Sequence, residues 1–436
     1  MKNLSLIRCA LSVCVAARLL AGCSQTNSTL PQSNAGTPST RLEQLTPRLA
    51  QSPARAGSVN AFPRADYGAA SRSVKWLEFG FIPSGGRFNP RERILSHRNA
   101  HRLNTLWSYQ PAGLGFGNSS PAMAEGVVYV GADDGNVYAL NAATGAKLWS
   151  YTTGSYVESS PAVANGVVYI GSADHNVYAL NAATGAKRWS YTTGSYVYSS
   201  PAVAGGVVYV GSYDDKAYAL SAGTGNKRWS YATGGGVYGV AVANGVVYVS
   251  SDDNNEYALN AATGAKLWSY TTGSYVESPP AVANGVVYIG SADKNVYALN
   301  AATGAKLWSY PAGPVYSSLA VAKGVVYVSS YDGNVYALTA ATGANLWSFY
   351  GASDGNSSPA VANGVLYVGS SHSCGRHCGA ADLYALDAAT GAQLWSYTAE
   401  TYGYGCVCSS PAVANGVVYA SFGLGYDNGS VKAFGL

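Results

Sequence analysis

Four cysteines in the C-terminal part of the chain have spacings that could support covalent or metal chemistry. They are Cys374, Cys378, Cys406 and Cys408. In an oxidising compartment an even number of cysteines usually pairs into disulfides, so we expect two disulfide bonds here. With His372 and His377 nearby, the same thiolates could instead hold Zn²⁺ tetrahedrally, although their spacings match no common zinc motif well. A zinc site and free thiols are therefore the alternatives.

A second chemical candidate is an aspartate that recurs once in each of six sequence repeats. These residues are Asp134, Asp174, Asp214, Asp253, Asp293 and Asp332. Calcium needs about six to eight oxygen ligands within about 2.6 Å, whereas carboxylates that recur once per repeat lie a repeat's width apart. The sequence therefore favours hydrogen bonding within turns over a calcium site.

The elements that must position these residues form a repeat of about 40 residues. Each unit has four short phrases rich in Val, Tyr and Trp, and residues 159–191 contain one full set. Glycine, asparagine, aspartate or Thr-Gly bounds each phrase, which is typical of strands and tight turns. Eight such units predict an all-β fold, an eight-bladed β-propeller with four antiparallel strands per blade.

The repeat region begins and ends at different points of the repeat unit. The first Trp phrase, residues 106–109, has no strands of its own before it, and the last unit ends at residues 431–434 without a Trp phrase. We therefore expect the N-terminal strand to complete the last blade and close the ring, which removes two open sheet edges.

The segment 139–149 reads Ala-Leu-Asn-Ala-Ala-Thr-Gly-Ala-Lys-Leu-Trp and recurs with small changes six more times. It resembles the tryptophan-docking motif of quinoprotein dehydrogenases and their relatives. The lead-in around Trp76 is also similar to that family, so the resemblance covers nearly everything from Trp76 onward, and we assign residues 74–436 to the propeller. The resemblance implies that each repeat tryptophan packs against the motif of the neighbouring blade. These tryptophans are Trp107, Trp149, Trp189, Trp229, Trp268, Trp308, Trp347 and Trp395.

The enzymes of that family hold pyrroloquinoline quinone between a vicinal Cys-Cys disulfide and a tryptophan, with Ca²⁺ and an aspartate base. This sequence has no Cys-Cys pair, and its nine tryptophans all belong to the repeats or to the lead-in. We therefore expect no cofactor, and a quinone-dependent dehydrogenase is kept as an alternative.

One position varies between repeats while the strand interiors stay nearly constant. It precedes the Ser-Ser-Pro-Ala phrase and is occupied by Asn118, Glu158, Tyr198, Tyr238, Glu277, Tyr316, Asn356 and Cys408. Because the first strand of each blade lines the channel of a propeller, these residues should ring one channel mouth. Tyrosines, amides and carboxylates suit a polar ligand, a peptide or a carbohydrate. Unselected drift at a loop edge is the other interpretation.

The N-terminus has the pattern of an export signal. Lys2 and Arg8 precede a short apolar stretch that ends in Leu-Ala-Gly-Cys, and this pattern predicts a signal peptide over 1–22. The tetrapeptide resembles the lipobox of bacterial lipoproteins, which implies lipidation of Cys23, and Ser24 after it resembles sorting to the outer membrane. Residues 23–73 are polar and Pro-rich, and we expect a disordered tether.

The charge distribution bears on the class of partner. Basic residues dominate up to Arg102, whereas acidic residues outnumber basic ones beyond it, so the repeats give no support to nucleic-acid binding. We expect a non-catalytic, lipid-anchored binding or scaffold module of the cell envelope, with envelope proteins or peptides as partners. By resemblance its nearest analogue is the propeller lipoprotein of the outer-membrane barrel-assembly machinery. A quinone-dependent dehydrogenase and a carbohydrate-binding propeller are the alternatives.

Overall fold

The computed structural model describes residues 75–111, 115–351, 356–373, 379–401, 405–407, 409–424 and 429–436. Eight antiparallel sheets surround a central channel, and the predicted all-β, eight-bladed propeller is confirmed. The predicted signal peptide, the tether and Cys23 lie outside the described residues. No helix in the described part of the chain is long and apolar enough to cross a lipid bilayer.

The strands of each blade are given from the channel outward. Blade 1 has Ala122–Ala124, Val127–Gly131, Asn136–Asn141 and Lys147–Thr152, and blade 2 has Ala162–Ala164, Val167–Gly171, Asn176–Asn181 and Lys187–Thr192. Blade 3 has Ala202–Ala204, Val207–Ser212, Lys216–Ser221 and Lys227–Ala232, and blade 4 has Val237–Ala243, Val246–Ser251, Asn255–Asn260 and Lys266–Thr271. Blade 5 has Ala281–Ala283, Val286–Gly290, Asn295–Asn300 and Lys306–Pro311, and blade 6 has Ala320–Ala322, Val325–Ser329, Asn334–Thr339 and Asn345–Tyr350.

The last two blades carry additional strands. Blade 7 has Ala360–Ala362, Val365–Ser373, Gly379–Asp387 and Gln393–Thr401, with Phe88–Asn89 added in parallel at the channel side. Blade 8 has Ala412–Ala414, Val417–Leu424, Ser430–Gly435 and Asn104–Tyr109, and Gly405–Cys406 pairs with its second strand. A short 3₁₀ helix, Ala100–Arg102, precedes the closing strand.

The hydrophobic core lies between neighbouring blades, because both faces of each sheet are covered. The second strand Val167–Gly171 is buried along its whole length. Its neighbours across the blade interface include Val197, Val208 and Tyr218, which form one buried cluster with Tyr169. Continuous apolar strands of this kind are expected when a sheet is buried on both faces.

The ring closes as the sequence predicts. The N-terminal strand Asn104–Tyr109 pairs antiparallel with Ser430–Gly435, with Thr105 opposite Phe434 and Tyr109 opposite Val431. The first strand in sequence thus becomes the outer strand of the last blade.

The tryptophan of each outer strand contacts the Thr-Gly turn of the next blade. Trp149 donates its indole N–H to the carbonyl of Ala182 at 3.0 Å, and its ring covers Gly185. Gly185 has a φ of +72°, and a Cβ atom there would lie 2.7 Å from the ring. Only glycine both adopts this backbone conformation readily and leaves room for the indole.

Seven of the eight tryptophans make this contact, and the eighth makes a different one. The seven are Trp107, Trp149, Trp189, Trp229, Trp268, Trp308 and Trp347. Trp395 instead packs edge-on against Phe434 at a centroid distance of 5.3 Å. Blade 8 thus offers an aromatic ring to Trp395.

The lead-in segment, residues 76–89, lies inside the channel and contacts the inner strand of every blade in turn. Its contacts fall at the same repeat position, the valine or methionine of the Pro-Ala-Val-Ala phrase. The pairs are Trp76–Met123, Leu77–Val163, Glu78–Val203, Pro83–Val242, Ser84–Val282, Gly86–Val321, Arg87–Val361 and Asn89–Val413. The segment thereby ties all eight blades together from within.

Arg87 anchors this segment at the channel axis. Its guanidinium donates to the carbonyls of Pro359, Phe79 and Pro411, and the side chain is fully buried. Burial lowers the pKa of Arg87 to about 9. The three carbonyls compensate for desolvation, because charge-assisted hydrogen bonds are among the stronger ones.

Candidate functional site

The predicted mouth residues directly precede, in sequence, a belt of serine hydrogen bonds. The Ser119 hydroxyl donates to the carbonyl of Ser159, and the backbone N–H of Ser120 donates to the hydroxyl of Ser160. The same two bonds recur between several further copies. The belt consists of Ser119, Ser120, Ser159, Ser160, Ser199, Ser200, Ser278, Ser317, Ser318, Ser357, Ser358, Ser409 and Ser410.

The serine belt is broken at blades 4 and 5. Blade 4 has Gly239 where the other blades have serine, and blade 5 has Pro279. Because proline has no N–H to donate, the buried hydroxyl of Ser318 has no hydrogen-bond partner within the described residues. The hydroxyl of Ser199, which would point to blade 4, also lacks one. A small cavity at this break is lined by Gly239, Pro279 and Ser318 together with lead-in residues, among them Gly80, Pro83 and Gly85.

Five partly exposed tyrosines next to the break form a continuous arc across blades 2 to 4. We call this group the tyrosine arc. It consists of Tyr156, Tyr196, Tyr198, Tyr213 and Tyr238. Tyr198 stacks on Tyr196 at 5.5 Å and meets the edge of Tyr213 at 5.0 Å. Tyr213 in turn contacts Tyr238 at 5.1 Å, and the hydroxyls of Tyr156 and Tyr198 lie 2.8 Å apart. Two of the predicted mouth residues, Tyr198 and Tyr238, are thus brought together.

Carboxylates flank the tyrosine arc in two pairs. Burial and the charge of Asp252 raise the pKa of Glu277 to about 7, and burial together with Asp215 and Asp253 raises the pKa of Asp252 to about 6. On the other flank, burial and the charge of Glu158 raise the pKa of Asp133 to about 7. The mouth therefore contains more carboxylates than Glu158 and Glu277, the two that the sequence predicts there.

Sequence reasoning missed Asp133, Tyr213 and Asp252 because they come from a different loop, the one between the second and third strands. A signal for them exists. The position before the recurring aspartate also varies between repeats, and is occupied by Asp133, Ala173, Tyr213, Asp252, Ala292 and Tyr331. Two variable positions per blade therefore meet at one mouth.

The remaining predicted mouth residues lie outside this cluster. Tyr316 contacts Tyr331 edge-on at 5.9 Å in blade 6. Asn118 and Asn356 precede the serine belt in blades 1 and 7. Cys408 lies outside the described residues.

The recurring aspartates accept hydrogen bonds in their turns and so stabilise them. Asp174 accepts hydrogen bonds from the hydroxyl of Tyr178, the N–H of Asn176 and the N–H of Gly154. Burial alone would raise the pKa of Asp174, but these hydrogen bonds bring it below its usual value. Among the described residues no group of three or more His, Cys, Asp or Glu side chains could hold a metal ion.

The segment that contains Cys406 lies at the seam between blades 7 and 8. Cys406 is disulfide-bonded, and its partner lies outside the described residues, as do Cys374, Cys378 and Cys408. Its short strand pairs with blade 8, while the N–H of Val407 donates to the carbonyl of Ser370 in blade 7. The bonded state of Cys406 agrees with the expected disulfides, and the pairing of the four stays a prediction.

A buried glutamate distinguishes blade 4 from its copies. Glu256 is fully buried and accepts a hydrogen bond from Ser250 at 2.8 Å, while its second oxygen has no partner within the described residues. Burial raises the pKa of Glu256 to about 8. Five other blades carry valine at this position, namely Val137, Val177, Val296, Val335 and Val431.

We expect Glu256→Val to stabilise the protein, and more at pH 8 than at pH 5. A carboxyl whose pKa is raised on folding contributes stability below its ordinary pKa of 4.5, and that contribution is lost as the pH rises through about 8. A tenfold change in the proton affinity of a carboxyl corresponds to about 1.4 kcal/mol, so the gain at pH 8 is on the order of a few kcal/mol. Thermal unfolding of both proteins at the two pH values measures it. A gain that does not change with pH would contradict the buried-charge explanation.

The quinone cofactor of the enzymes that this chain resembles does not fit this mouth. Pyrroloquinoline quinone carries three carboxyl groups, whereas the mouth presents Asp133, Glu158, Asp252 and Glu277 around the tyrosine arc. Like charges in a partly desolvated site repel each other. Within the described residues, the carboxylate pairs face no arginine or lysine in the mouth ring that could offset this repulsion.

Solved structures of other proteins share this propeller fold. The structure of BamB from Moraxella catarrhalis superposes with a TM-score of 0.62 at 21% identity, over 77% of this chain and 98% of that one. Quinohemoprotein alcohol dehydrogenase ADHIIG from Pseudomonas putida HK5 superposes with a TM-score of 0.69 at 17% identity, over 83% of this chain and 80% of that one. At these identities the likeness shows the fold alone.

A curated relative matches only a short segment. The 1-butanol dehydrogenase (cytochrome c) of Thauera butanivorans is 32% identical over 77 residues, which make up 18% of this chain and 11% of that protein. One family model, in contrast, matches residues 92–237, 232–318 and 312–434. Since these segments cover most of the chain, it belongs to the propeller family described as outer membrane protein assembly factor BamB.

Proposed function

We propose that this chain is a non-catalytic, lipid-anchored propeller that serves as a protein-binding scaffold in the cell envelope, in the assembly of outer-membrane proteins. The observation that carries the proposal is the family match through residues 92–434. Cys23 is the proposed lipid attachment point, after removal of residues 1–22, and residues 23–73 are the proposed tether. These sequence features together with the family support a location in the cell envelope.

The architecture supports a scaffold. The closing strand and the lead-in segment join blades that are distant in sequence, and the tryptophan contacts join neighbouring blades. Together they make a ring that can hold loops in fixed positions. Binding residues are often found on loops that a rigid scaffold positions. The mouth offers such loops, with tyrosine rings and carboxylates that can contact a polar partner.

The chemistry of the mouth supports binding over quinone-dependent catalysis. The cofactor carries the hard chemistry in such enzymes, and the protein must hold and orient it. The carboxylates around the tyrosine arc oppose an anionic quinone, and the recurring aspartates are committed to their turns. The dehydrogenases among the structural neighbours share the fold, and fold alone does not carry an activity.

A dye-linked assay tests the proposal against its main rival. The purified full chain is mixed with pyrroloquinoline quinone, Ca²⁺ and a panel of primary alcohols and aldose sugars, and dye reduction is followed. We expect no quinone-dependent reduction above a protein-free control, with an authentic quinoprotein dehydrogenase as positive control. Turnover that requires added quinone and disappears in Glu277→Gln would replace the scaffold with an enzyme.

A further inference from the structure

We propose that the channel mouth binds a cationic side chain of a partner polypeptide, a lysine ammonium or an arginine guanidinium, at the tyrosine arc between the carboxylates of blades 1–2 and 4–5. This inference rests on the proposed function as a protein-binding module and specifies the chemistry of its partner.

The tyrosine arc supplies the aromatic surface. Its five rings contact one another at centroid distances of 5.0 to 6.1 Å and are all partly exposed. A cation that lies over the face of a tyrosine, within about 6 Å of the ring centroid, is attracted by the ring quadrupole. This attraction contributes about 0.5–2 kcal/mol. Neighbouring rings that meet edge to face, such as Tyr198 with Tyr213, present their faces in different directions.

The flanking carboxylates supply the opposite charge. No described residue donates a hydrogen bond to Glu277, and the buried Oδ1 atom of Asp252 has no hydrogen-bond partner within the described residues. Burial is the main cause of the raised pKa of both groups, and nearby negative charge adds to it. A bound ammonium or guanidinium would relieve this repulsion and donate to the unpartnered oxygen.

The charge of the whole mouth face favours the same class of partner. In blades 1 to 6 the loops on this face carry many carboxylates but only two lysines, Lys216 and Lys294, and Lys216 lies 3.7 Å from Asp214. The carboxylates are Asp133, Asp134, Glu158, Asp174, Asp214, Asp215, Asp252, Asp253, Glu277, Asp293 and Asp332. A face on which negative charge predominates attracts cations and speeds association.

These features coincide on one side of the ring. The tyrosine arc, the Asp252–Glu277 pair and the break in the serine belt all fall in blades 2 to 5, where the repeats diverge from one another. A structural need of the propeller would be met equally by every blade. Asymmetry of the mouth in an otherwise repeated ring is what recognition of a single partner group requires.

Fluorescence anisotropy with labelled tripeptides on the purified full chain tests the inference. We expect acetyl-Lys-Lys-Lys-amide and its arginine counterpart to bind in a salt-dependent manner, and the glutamate counterpart not to bind. Glu277→Gln and Tyr213→Ala should each weaken lysine-peptide binding about tenfold, the change that corresponds to about 1.4 kcal/mol. Circular dichroism verifies that the variants are folded.

Glu125→Gln is the matched control, because it removes the same charge in an exposed turn at the opposite end of blade 1. Equal losses of lysine-peptide affinity in Glu125→Gln and Glu277→Gln would mean that only the overall charge of the protein matters, and would overturn the inference. A neutral maltose-type sugar that binds and is lost in Tyr213→Ala, with no binding of the cationic peptides, would overturn it in favour of a carbohydrate site. If no tripeptide binds while the dye-linked assay is also negative, the mouth inference fails and the scaffold proposal stands.

Discussion

Deletion of residues 103–109 is expected to lower the melting temperature of the propeller by about 10 °C or more. The deletion removes the outer strand of blade 8, so the strand Ser430–Gly435 becomes an open edge. It also removes Trp107, which is 8% exposed and donates to the carbonyl of Ala142 in blade 1 at 2.9 Å. Loss of a buried tryptophan side chain alone costs about 3–5 kcal/mol.

Two variants control for nonspecific effects of that deletion. Removal of residues 24–72 shortens the proposed tether and should leave the melting temperature unchanged. Leu106→Ala changes a side chain of the same strand that is 47% exposed, and should have little effect. Equal melting temperatures for the 103–109 deletion and the intact protein, measured by differential scanning calorimetry, would refute closure as a source of stability.

The regular part of this fold could be predicted from the sequence because the same local pattern recurs eight times. Alternating Val and Tyr with Asp-Gly and Thr-Gly turns specifies each blade locally, and the phase difference between the ends specifies closure. Blade 4 departs from the pattern. The single Gly239 stands where most other blades have a Ser-Ser pair, and the inner strand extends over Val237–Ala243 with a register shift between Val237 and Gly239.

The path of the lead-in segment could not be predicted in the same way. Residues 76–89 contact all eight blades, mostly through single backbone hydrogen bonds to residues up to 324 positions away. Such contacts leave no periodicity, and the charged Arg87 and Glu78 would be assigned to the surface from their residue types. Both are buried in the structure.

Only half of the candidate site could be predicted from the sequence. Variation before the serine phrase identified Glu158, Tyr198, Tyr238 and Glu277 as mouth residues. Their partners Tyr213 and Asp252 belong to loops some 14 to 25 residues from them in sequence, and only the blade geometry brings the two loops to one mouth. The recurring serines were visible in the sequence. That Gly239 and Pro279 leave the hydroxyls of Ser199 and Ser318 without partners among the described residues is seen only from the hydrogen bonds.

Loss of the protein is expected to reduce the outer membrane's content of β-barrel proteins. A scaffold that holds partners together raises their effective concentration, so its removal slows assembly although the partner proteins are still present. The family match over residues 92–434 supports this role, and the proposed anchor at Cys23 would keep the ring at the membrane where assembly takes place. Full-length protein supplied from a plasmid should restore the barrel proteins, whereas Cys23→Ala should restore them less.

Quantitative mass spectrometry of outer membranes from the parent, deletion and complemented strains tests the scaffold proposal at its centre. We expect a severalfold fall in β-barrel proteins in the deletion strain, with full recovery only when the wild-type chain is returned. An unchanged β-barrel content in the deletion strain, with loss of a quinone-dependent alcohol-oxidising activity from the envelope, would refute the scaffold role.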